Sequence, residues 1–526
     1  MKILVAEKIA QEGVEVLKGS GIEVDVKTEL TREELLECIG DYDGLIIRSV
    51  TKVNQELLEK AINLKVVGRA GNGVDNIVLE DATKYGVIVV NTPDSNTVSA
   101  AEHTIGLLLG SARNLPQASE HVRNGGWERS LFKGSELYGK ILGVVGLGRI
   151  GSMVATRMQS FNMKVIAYDP YITDDRFKKF NVEKREDLMD LVREADFITV
   201  HTPKTEETLS MISREQFEVA KDGVRVVNCA RGGIIDEAAL YEYLVNGKVA
   251  SAGIDVMMNE PNPDSPLRAL DNVVITPHLG ASTFEAQKNV GVTVAKQVIN
   301  ALQGEMVPNA VNLPRINVKE MEYIKPYLQL AENLGKLYYQ LNKGAVEKVD
   351  VKYYGDVNRF EVKTITMTAL KGIFEPVLKE KINYVNALYV AQNRGCTVTE
   401  SVAEYVEDYH NMIEITITSK EAEFKVAGTI LGKRGLRIVN VNGFEFEVEP
   451  QQHMIIAENT DKPGMIGKIG MVLGELDINI NTMKVSQNDE DKKAMMFLTV
   501  DNHVNKEQVD NIRKIDGILG ANYIKL

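Results

Sequence analysis

The eleven residues Ile141-Leu-Gly-Val-Val-Gly-Leu-Gly-Arg-Ile-Gly151 leave few folds open to a chain that contains them. An apolar run of strand length passes directly into G-x-G-x-x-G, with Gly146, Gly148 and Gly151 at the fixed positions, and a helix-like segment follows. That order turns the chain sharply at the end of a parallel strand. It also brings backbone close to a pyrophosphate and faces it with helix-terminal amides. Asp169 ends the next strand-like run, 18 residues past Gly151. A carboxylate there accepts hydrogen bonds from adenosine ribose hydroxyls and disfavours a 2′-phosphate, so a site for NAD rather than NADP is expected.

The alternation of buried strand-like runs with helical segments extends to both sides. Before the motif, Ile3–Ala6, Gly44–Ile47, Lys65–Val67 and Val87–Val90 read as strands, and Thr31 with Glu34 has the form of a capping box. After it, Lys164–Tyr168, Asp196–Val200, Arg225–Asn228 and Val273–Thr276 continue the series. The fold class is α/β, with two doubly wound parallel sheets, one flavodoxin-like and one Rossmann. Helical stretches at Thr97–Leu115 and Thr283–Leu302 connect them. A substrate domain is expected over 1–98 and 282–310, and an NAD domain over 99–281.

Past Gly304, Val307–Pro314 reads as a linker. Ile413–Thr418, Glu423–Ala427 and Phe444–Glu449 alternate apolar with polar residues, as in an antiparallel sheet with one wet face, so 311–449 is expected to be an α+β domain. The final segment, 450–526, runs strand (His453–Glu458), helix (Gly464–Leu476), strand (Asn481–Ser486), hairpin loop (Asn488–Asp491), strand (Ala494–Val500), helix (Lys506–Ile515), strand (Asn522–Leu526). That βαββαβ order is ferredoxin-like.

With 526 residues, 44% hydrophobic and 26% charged, the chain can fill several cores. Its net charge of −13 gives no footprint for nucleic acid or an anionic membrane, so an anionic ligand must be met by a local cluster of Arg and Lys. Cys38, Cys229 and Cys396 lie far apart, without disulfide or zinc-ligand spacing, and Glu7 interrupts the N-terminal apolar run. No metal and a cytoplasmic location are the expectations.

Three segments fall at C-terminal ends of strand-like runs, where open α/β sheets bind ligands: Asn228–Asp236, Asp255–Pro261 and Thr276–Thr283. Moving a hydride from a hydroxy acid requires a base for the hydroxyl proton and a cation for the carboxylate or carbonyl oxygen. His278 and Arg231 supply them, and Glu260 is suited to orient the imidazole. In the first domain, Arg48 and Ser49 follow Gly44-Leu-Ile-Ile, and Gly71, Asn72 and Gly73 form a glycine-rich turn after Lys65-Val-Val. The amides of that turn suit a carboxylate, and the fork of Arg48 suits a phosphate. Each residue alone also has an ordinary structural reading as a helix cap, a surface ion pair or a satisfied imidazole.

Arg231, Glu260 and His278, in this order, resemble the D-isomer-specific 2-hydroxyacid dehydrogenases, and the resemblance runs from residue 1 to about 310. It implies catalytic roles for these three. It also implies NAD contacts for Asn72, Gly146, Gly148, Arg149, Ile150, Gly151, Asp169, Thr202, Cys229, Ala230, Arg231, Asp255, His278, Gly280 and Ala281. Asn91-Thr-Pro and Ser99-Ala-Ala-Glu narrow it to members acting on D-3-phosphoglycerate. Arg48, Ser49, Gly71, Asn72, Gly73, Arg129 and Lys133 then face substrate, and in some relatives the charge at the last two positions comes across a subunit boundary.

Glu458–Gly470 followed by Asp477–Asn481 resembles the ACT domain, a sensor of amino acids. That implies an effector, L-serine, contacted by Asn459, Asp461 and Asn479, and assembly as a homodimer or homotetramer. Residues 311–450 resemble the intervening domain of longer family members, through Ile438–Gly443, and Lys433, Arg434 and Arg437 read as a solvated face. The alternatives are another D-2-hydroxyacid dehydrogenase and an NAD-sensing binding protein. Arg48 with the ACT-like tail argues against the first, and the intact Arg231, Glu260 and His278 against the second.

Overall fold

The computed structural model describes every residue except 306, 315, 317, 379–381, 405–407, 433–434 and 489–491. Lys433, Arg434 and the tip of the hairpin expected at Asn488–Asp491 therefore lie outside the described residues.

Strands β1 (Lys2–Val5), β2 (Glu23–Val26), β3 (Gly44–Ile47), β4 (Val66–Arg69) and β5 (Ile88–Val90) form a parallel sheet in the order β2-β1-β3-β4-β5. Alternation of period two fills both of its faces. Ile3, Val5, Ile46, Val66 and Val90 pack under Val290, Val294 and Val298 of the Phe284–Leu302 helix, while Leu4, Leu45, Ile47, Val67 and Val89 pack on the opposite side. The capping box expected at Thr31 is present: Thr31 Oγ1 accepts from Glu34 N and the Glu34 carboxylate accepts from Thr31 N. Strand β2 escaped the sequence reading because Glu-Val-Asp-Val is a half-exposed edge without an apolar run.

The second sheet contains β6 (Ile141–Val145), β7 (Lys164–Tyr168), β8 (Glu183–Lys184), β9 (Phe197–Val200), β10 (Val224–Asn228), β11 (Val249–Ile254) and β12 (Val273–Ile275). All are parallel, in the order β12-β11-β10-β9-β6-β7-β8. The order reverses beside β6, which carries the glycine motif at its C-terminal end; this is the switch point where such sheets open a crevice. Strand β11 was also missed. Its sequence Val-Ala-Ser-Ala-Gly-Ile is built of small residues because the Thr97–Arg113 helix lies directly on it, with Ser251 Oγ donating to Ser111 O at 3.1 Å.

Val307–Pro314 is not a free linker. Val311 N donates to Val89 O at 2.7 Å, and the Asn312 side chain accepts from Val89 N and donates to Val87 O, both at 2.9 Å. Val307 and Ala310 are buried in the first core. The Asn312 amide satisfies backbone groups that β5, at the sheet edge, leaves unpaired.

The third sheet is mixed rather than antiparallel throughout. Strands β13 (Val346–Gly355), β14 (Thr397–Ala403), β15 (Asn411–Ser419), β16 (Glu423–Leu431), β17 (Gly435–Val441) and β18 (Phe444–Val448) run in the order β14-β13-β15-β16-β17-β18. The pair β13 and β14 is parallel, joined through the Lys363–Phe374 and Ala387–Asn393 helices. A parallel neighbour requires such a crossover, and β14 is largely exposed, so no apolar alternation announced it. The last domain follows the expected order, with β19 (His453–Thr460), β20 (Ile480–Asn488), β21 (Lys493–Val500) and β22 (Ile518–Lys525) paired as β20-β21-β19-β22, and the Met465–Glu475 and Lys506–Arg513 helices between strands. Met454, Ile456, Met495, Phe497 and Ile524 from this sheet share one continuous core with Tyr327, Leu334, Tyr338, Ile415 and Phe446 of the preceding domain.

The Gln11–Lys18 and Phe284–Leu302 helices cross through two glycines: a Cβ on Gly13 would lie 2.6 Å from Gly291 C and O. Gly13→Ala should therefore destabilise the first domain by about 1–3 kcal/mol. Gly106→Ala, at an exposed helical position with nothing within 4 Å of the new methyl, should be neutral or stabilising. Urea unfolding midpoints of the two variants check the contrast.

Candidate active site

Gly146 turns the chain at φ +91° and its N–H donates to Tyr168 O at 2.9 Å, holding the loop against β7. A Cβ on Gly151 would lie 2.0 Å from Gly146 O, so only glycine lets the Arg149–Gln159 helix start this close to the strand. That helix has no side chain capping its N-terminus, and the space beside Gly148 is open. Asp169 Oδ2 accepts from Leu147 N at 2.9 Å and Oδ1 from Tyr171 N at 3.1 Å, which fixes the carboxylate beside the glycine loop. Across the crevice, Thr202 Oγ1 is buried without a hydrogen-bond partner. Free amides, open space beside a glycine and an orphaned hydroxyl fit a dinucleotide. Ile150 and Ala281 are half-buried. Arg149, in contrast, is engaged within the protein: its Nε meets Asp94 Oδ1 at 2.6 Å.

His278 Nδ1 lies 2.7 Å from Glu260 Oε2, and Glu260 Oε1 accepts from Met257 N at 2.8 Å. Desolvation works to raise the Glu260 carboxyl, but the hydrogen bonds from His278 and Met257 outweigh it and hold it below its ordinary value. The backbone of His278 stands at φ +57°, with its N–H donating to Asp255 O at 2.9 Å. The Asp255 side chain, 3% exposed, organises the whole loop. Its Oδ1 accepts from Thr276 Oγ1 at 2.6 Å and Leu279 N at 2.7 Å, and its Oδ2 from Gly280 N at 2.9 Å. His103 Nε2 is 3.1 Å from Oδ1, and Cys229 Sγ is 3.5 Å from Oδ2. Burial alone would raise the Asp255 carboxyl, yet His103, Thr276 and the Leu279 amide bring it down to about 2. Burial pushes the Cys229 thiol well up, away from nucleophilic character. Gly280 O in turn accepts from Ser99 Oγ at 2.9 Å, and Ala230 N donates to Asn228 Oδ1 at 3.0 Å. Glu237, in the first turn of the Glu237–Val245 helix, accepts from Met258 N and so fixes the turn that presents Glu260.

Arg231 reaches across to the first domain: its Nε is 3.2 Å from Asp75 Oδ2, and a Cβ on Gly73 would lie 2.1 Å from its Nη2. Arg69 bends over Gly71, whose φ is +149°, and is half-buried. Desolvation, and then repulsion from Arg231 and Arg48, lower Arg69 to about 10, with Asp75 and Glu7 opposing. Arg69 and Arg231 thus meet at the glycine turn between the two sheets, and Arg48 follows Ile47, the β3 partner of Arg69. Asn91 Nδ2 donates to Asn72 O at 2.6 Å and holds the turn, while Arg48 and Ser49 are exposed at the end of β3. Arg129 and Lys133 stand exposed on a separate segment beside exposed Trp127 and Leu131.

Sequence reading missed His103, Arg69 and Asp75. Arg69 had a signal, a cation at the C-terminal end of a strand. His103, in mid-helix, had none.

In the last domain, Asn459 is 1% exposed, with Nδ2 donating to Thr460 O at 2.7 Å and Oδ1 unpartnered. Asp461 accepts from Gln487 Nε2 at 3.1 Å nearby. Asn479 is elsewhere, paired with Asp501 at 2.8 Å. Asn459 stands opposite Ala494, but Ile480 stands opposite Val500, at the other end of β21. Residues at these two ends are about 20 Å apart at the usual strand rise, so one chain does not gather all three effector residues.

Three family models match the chain: the D-isomer specific 2-hydroxyacid dehydrogenase NAD binding domain over residues 105–280, the D-3-phosphoglycerate dehydrogenase intervening domain over 323–442, and the ACT domain over 453–517. The D-3-phosphoglycerate dehydrogenase of Archaeoglobus fulgidus is 45% identical and that of Methanocaldococcus jannaschii 44%, each match covering 100% of both chains. The chain belongs to the D-3-phosphoglycerate dehydrogenase family. Among solved structures, D-lactate dehydrogenase from Aquifex aeolicus, complexed with NAD and lactic acid, superposes with a TM-score of 0.53 at 28% identity. It covers 60% of this chain and 100% of its own, so the likeness is to the dehydrogenase part and leaves the rest of the chain unmatched. Among the described residues no helix is long and apolar enough to cross a membrane.

In this family member the Asp255 carboxylate should hold the catalytic loop through charge as well as shape. Its folded pKa lies below the ordinary value, so its stabilisation is present at neutral pH and is lost as pH falls from about 4 towards 2. Asp255→Asn should cost on the order of 1–2 kcal/mol at pH 7, and the gap to the wild type should narrow at pH 4 and below. Urea unfolding of both proteins across this range measures it.

Proposed function

We propose that this chain is an NAD-dependent dehydrogenase that oxidises D-3-phosphoglycerate to 3-phosphohydroxypyruvate, the step that commits carbon to L-serine. The observation that carries the reading is the placement of Arg69 and Arg231 against the glycine turn, with Arg48 next along the neighbouring strand after Ile47, the residue that pairs with Arg69. A simple hydroxy acid offers one carboxylate, whereas phosphoglycerate offers a carboxylate and a phosphate, which together match three guanidinium forks. The family's relatives carry the same activity in their names.

In this reading Arg231 holds the substrate carboxylate, shared with the amides near Gly73, and Arg48 with Arg69 meets the phosphate. Glu260 fixes the imidazole with Nδ1–H toward its carboxylate, leaving Nε2 to take the C2 hydroxyl proton. Asp255 keeps that imidazole in place through the Leu279 and Gly280 amides. The Gly146–Gly151 turn and Asp169 would hold NAD, which would supply the acceptor for the C2 hydride. The three unpaired thiols fit a reducing cytoplasm.

An assay following NADH should show D-3-phosphoglycerate turned over far more efficiently than D-lactate or D-glycerate. His278→Ala should lower kcat by about 10²–10⁴-fold with NAD binding retained. Comparable efficiency on all three acids would remove the phosphate site from the account, and near-normal turnover in His278→Ala would remove the base.

Two chains are proposed to act together. Trp127, Leu131 and Tyr138 are 71%, 65% and 72% exposed beside Arg129 and Lys133, an apolar patch suited to pairing that also brings added charge to a neighbour's cleft. Pairing of ACT domains would likewise unite Asn459 and Asp461 of one copy with Asn479 of another, where the unpartnered Asn459 Oδ1 can accept from the ammonium of L-serine. A signal from that site has a solid route. The ACT domain is joined to the intervening domain by a shared core and by Gln340, bonded to Lys525 N at 2.8 Å and O at 3.1 Å. The intervening domain meets the first sheet's domain where Asn383 donates to Gly86 O at 2.7 Å. Serine binding must favour one arrangement of these bodies over another. Titration calorimetry on the full-length protein should show binding of L-serine that lowers activity and weakens on Asp461→Ala. No heat with any small amino acid would end the sensor reading.

A further inference from the structure

The catalytic account uses Asp255 as an anchor and leaves His103 and Cys229 without chemistry, yet the three side chains form a donor set of one nitrogen, one sulfur and one carboxylate. Their ligand atoms all lie within 4.8 Å of one another. They come from the Thr97–Arg113 helix and from the ends of β10 and β11, so no sequence spacing revealed them. Tetrahedral zinc bonds of about 2.3 Å to sulfur and 2.0–2.2 Å to nitrogen and oxygen imply ligand-to-ligand edges of roughly 3.3–3.7 Å. His103 Nε2 lies 3.1 Å from Asp255 Oδ1 and Cys229 Sγ 3.5 Å from the other oxygen, Oδ2, so an ion bound to a single oxygen draws the three groups in from a spread of up to 4.8 Å. Leu279 N, Gly280 N and Thr276 Oγ1 already fix the carboxylate, as an outer shell fixes a metal ligand. Cys229 and Asp255 are buried while the His103 side chain is 23% exposed, which gives an ion a way in and a fourth position for water.

We propose that His103, Cys229 and Asp255 bind a thiophilic divalent cation of the zinc class, and that the ion and NAD exclude each other from the cleft. Binding forms bonds from the metal to His103 Nε2, Cys229 Sγ and an Asp255 oxygen. The thiol proton goes to solvent, and the neutral imidazole keeps its proton on Nδ1 instead of Nε2. No redox change is involved. The exclusion of NAD rests on the cofactor placement given above; the metal site does not.

The test is titration of the full-length protein, free of NAD, with Cd²⁺, whose bond to a thiolate gives an ultraviolet charge-transfer band. The band should saturate at one equivalent per chain, vanish in Cys229→Ser, persist in Cys38→Ser and Cys396→Ser, weaken at least tenfold in affinity in His103→Ala, and be displaced by Zn²⁺. A band that never saturates, or one that survives Cys229→Ser, overturns the site. Ser is close in size to Cys, and circular dichroism of Cys229→Ser checks that the fold is kept. Saturating NAD, its own binding followed by calorimetry in the same buffer, should weaken Cd²⁺ at least tenfold. NAD that binds and leaves Cd²⁺ affinity unchanged overturns the exclusion, whereas NAD that fails to bind counts against the cofactor reading.

Discussion

A single buried carboxylate holds the catalytic half together. Asp255 receives donors from a helix, from the strand-end loop and from the neighbouring strand, and each of these elements carries something the cleft needs. A carboxylate 3% exposed would be costly alone. Surrounded by donors it remains charged, and the Leu279 and Gly280 amides that satisfy it are the ones that set the path of the His278 backbone. The positive φ of His278 persists because its own N–H is tied to Asp255 O. Stability and catalytic geometry are therefore the same set of hydrogen bonds.

The second constraint is charge balance between two separately built sheets. Arg231 comes from the end of β10, Arg69 from the end of β4 and Arg48 from the end of β3, and desolvation, with repulsion from the other two, lowers Arg69. Asp75 is the carboxylate that tempers it, spanning the cleft to Arg231 at 3.2 Å. An anion entering this space finds cations already gathered and partly desolvated, so little reorganisation is left to the moment of binding.

The C-terminal half is less modular than its family boundaries suggest. One hydrophobic core runs from the Val318–Leu341 helix through the mixed sheet into the ACT sheet, and the segment after the Phe284–Leu302 helix is stitched to β5 by Asn312. The segment Val307–Pro314 is packed and hydrogen-bonded, so it is not a slack tether between the dehydrogenase part and the rest of the chain.

The sequence by itself determined the parallel α/β halves, the ferredoxin-like end and the glycine-rich turn after β6, and it singled out Arg231, Glu260 and His278 as candidates. Those features are local: apolar period, turn chemistry and strand-end position are written within a few residues of one another. Exposed edges such as β2 and β14, and the small-residue strand β11, stayed hidden because their composition answers to a neighbour's packing. Only the tertiary structure decided that Arg149 is taken by Asp94, that Arg69 completes the cation cluster, that Asn479 lies at the far end of the sheet from Asp461, and that His103 meets Cys229 at Asp255. Each of these depends on which strand ends come to lie side by side. That is set by sheet order and burial over the whole chain, and no residue spacing encodes it.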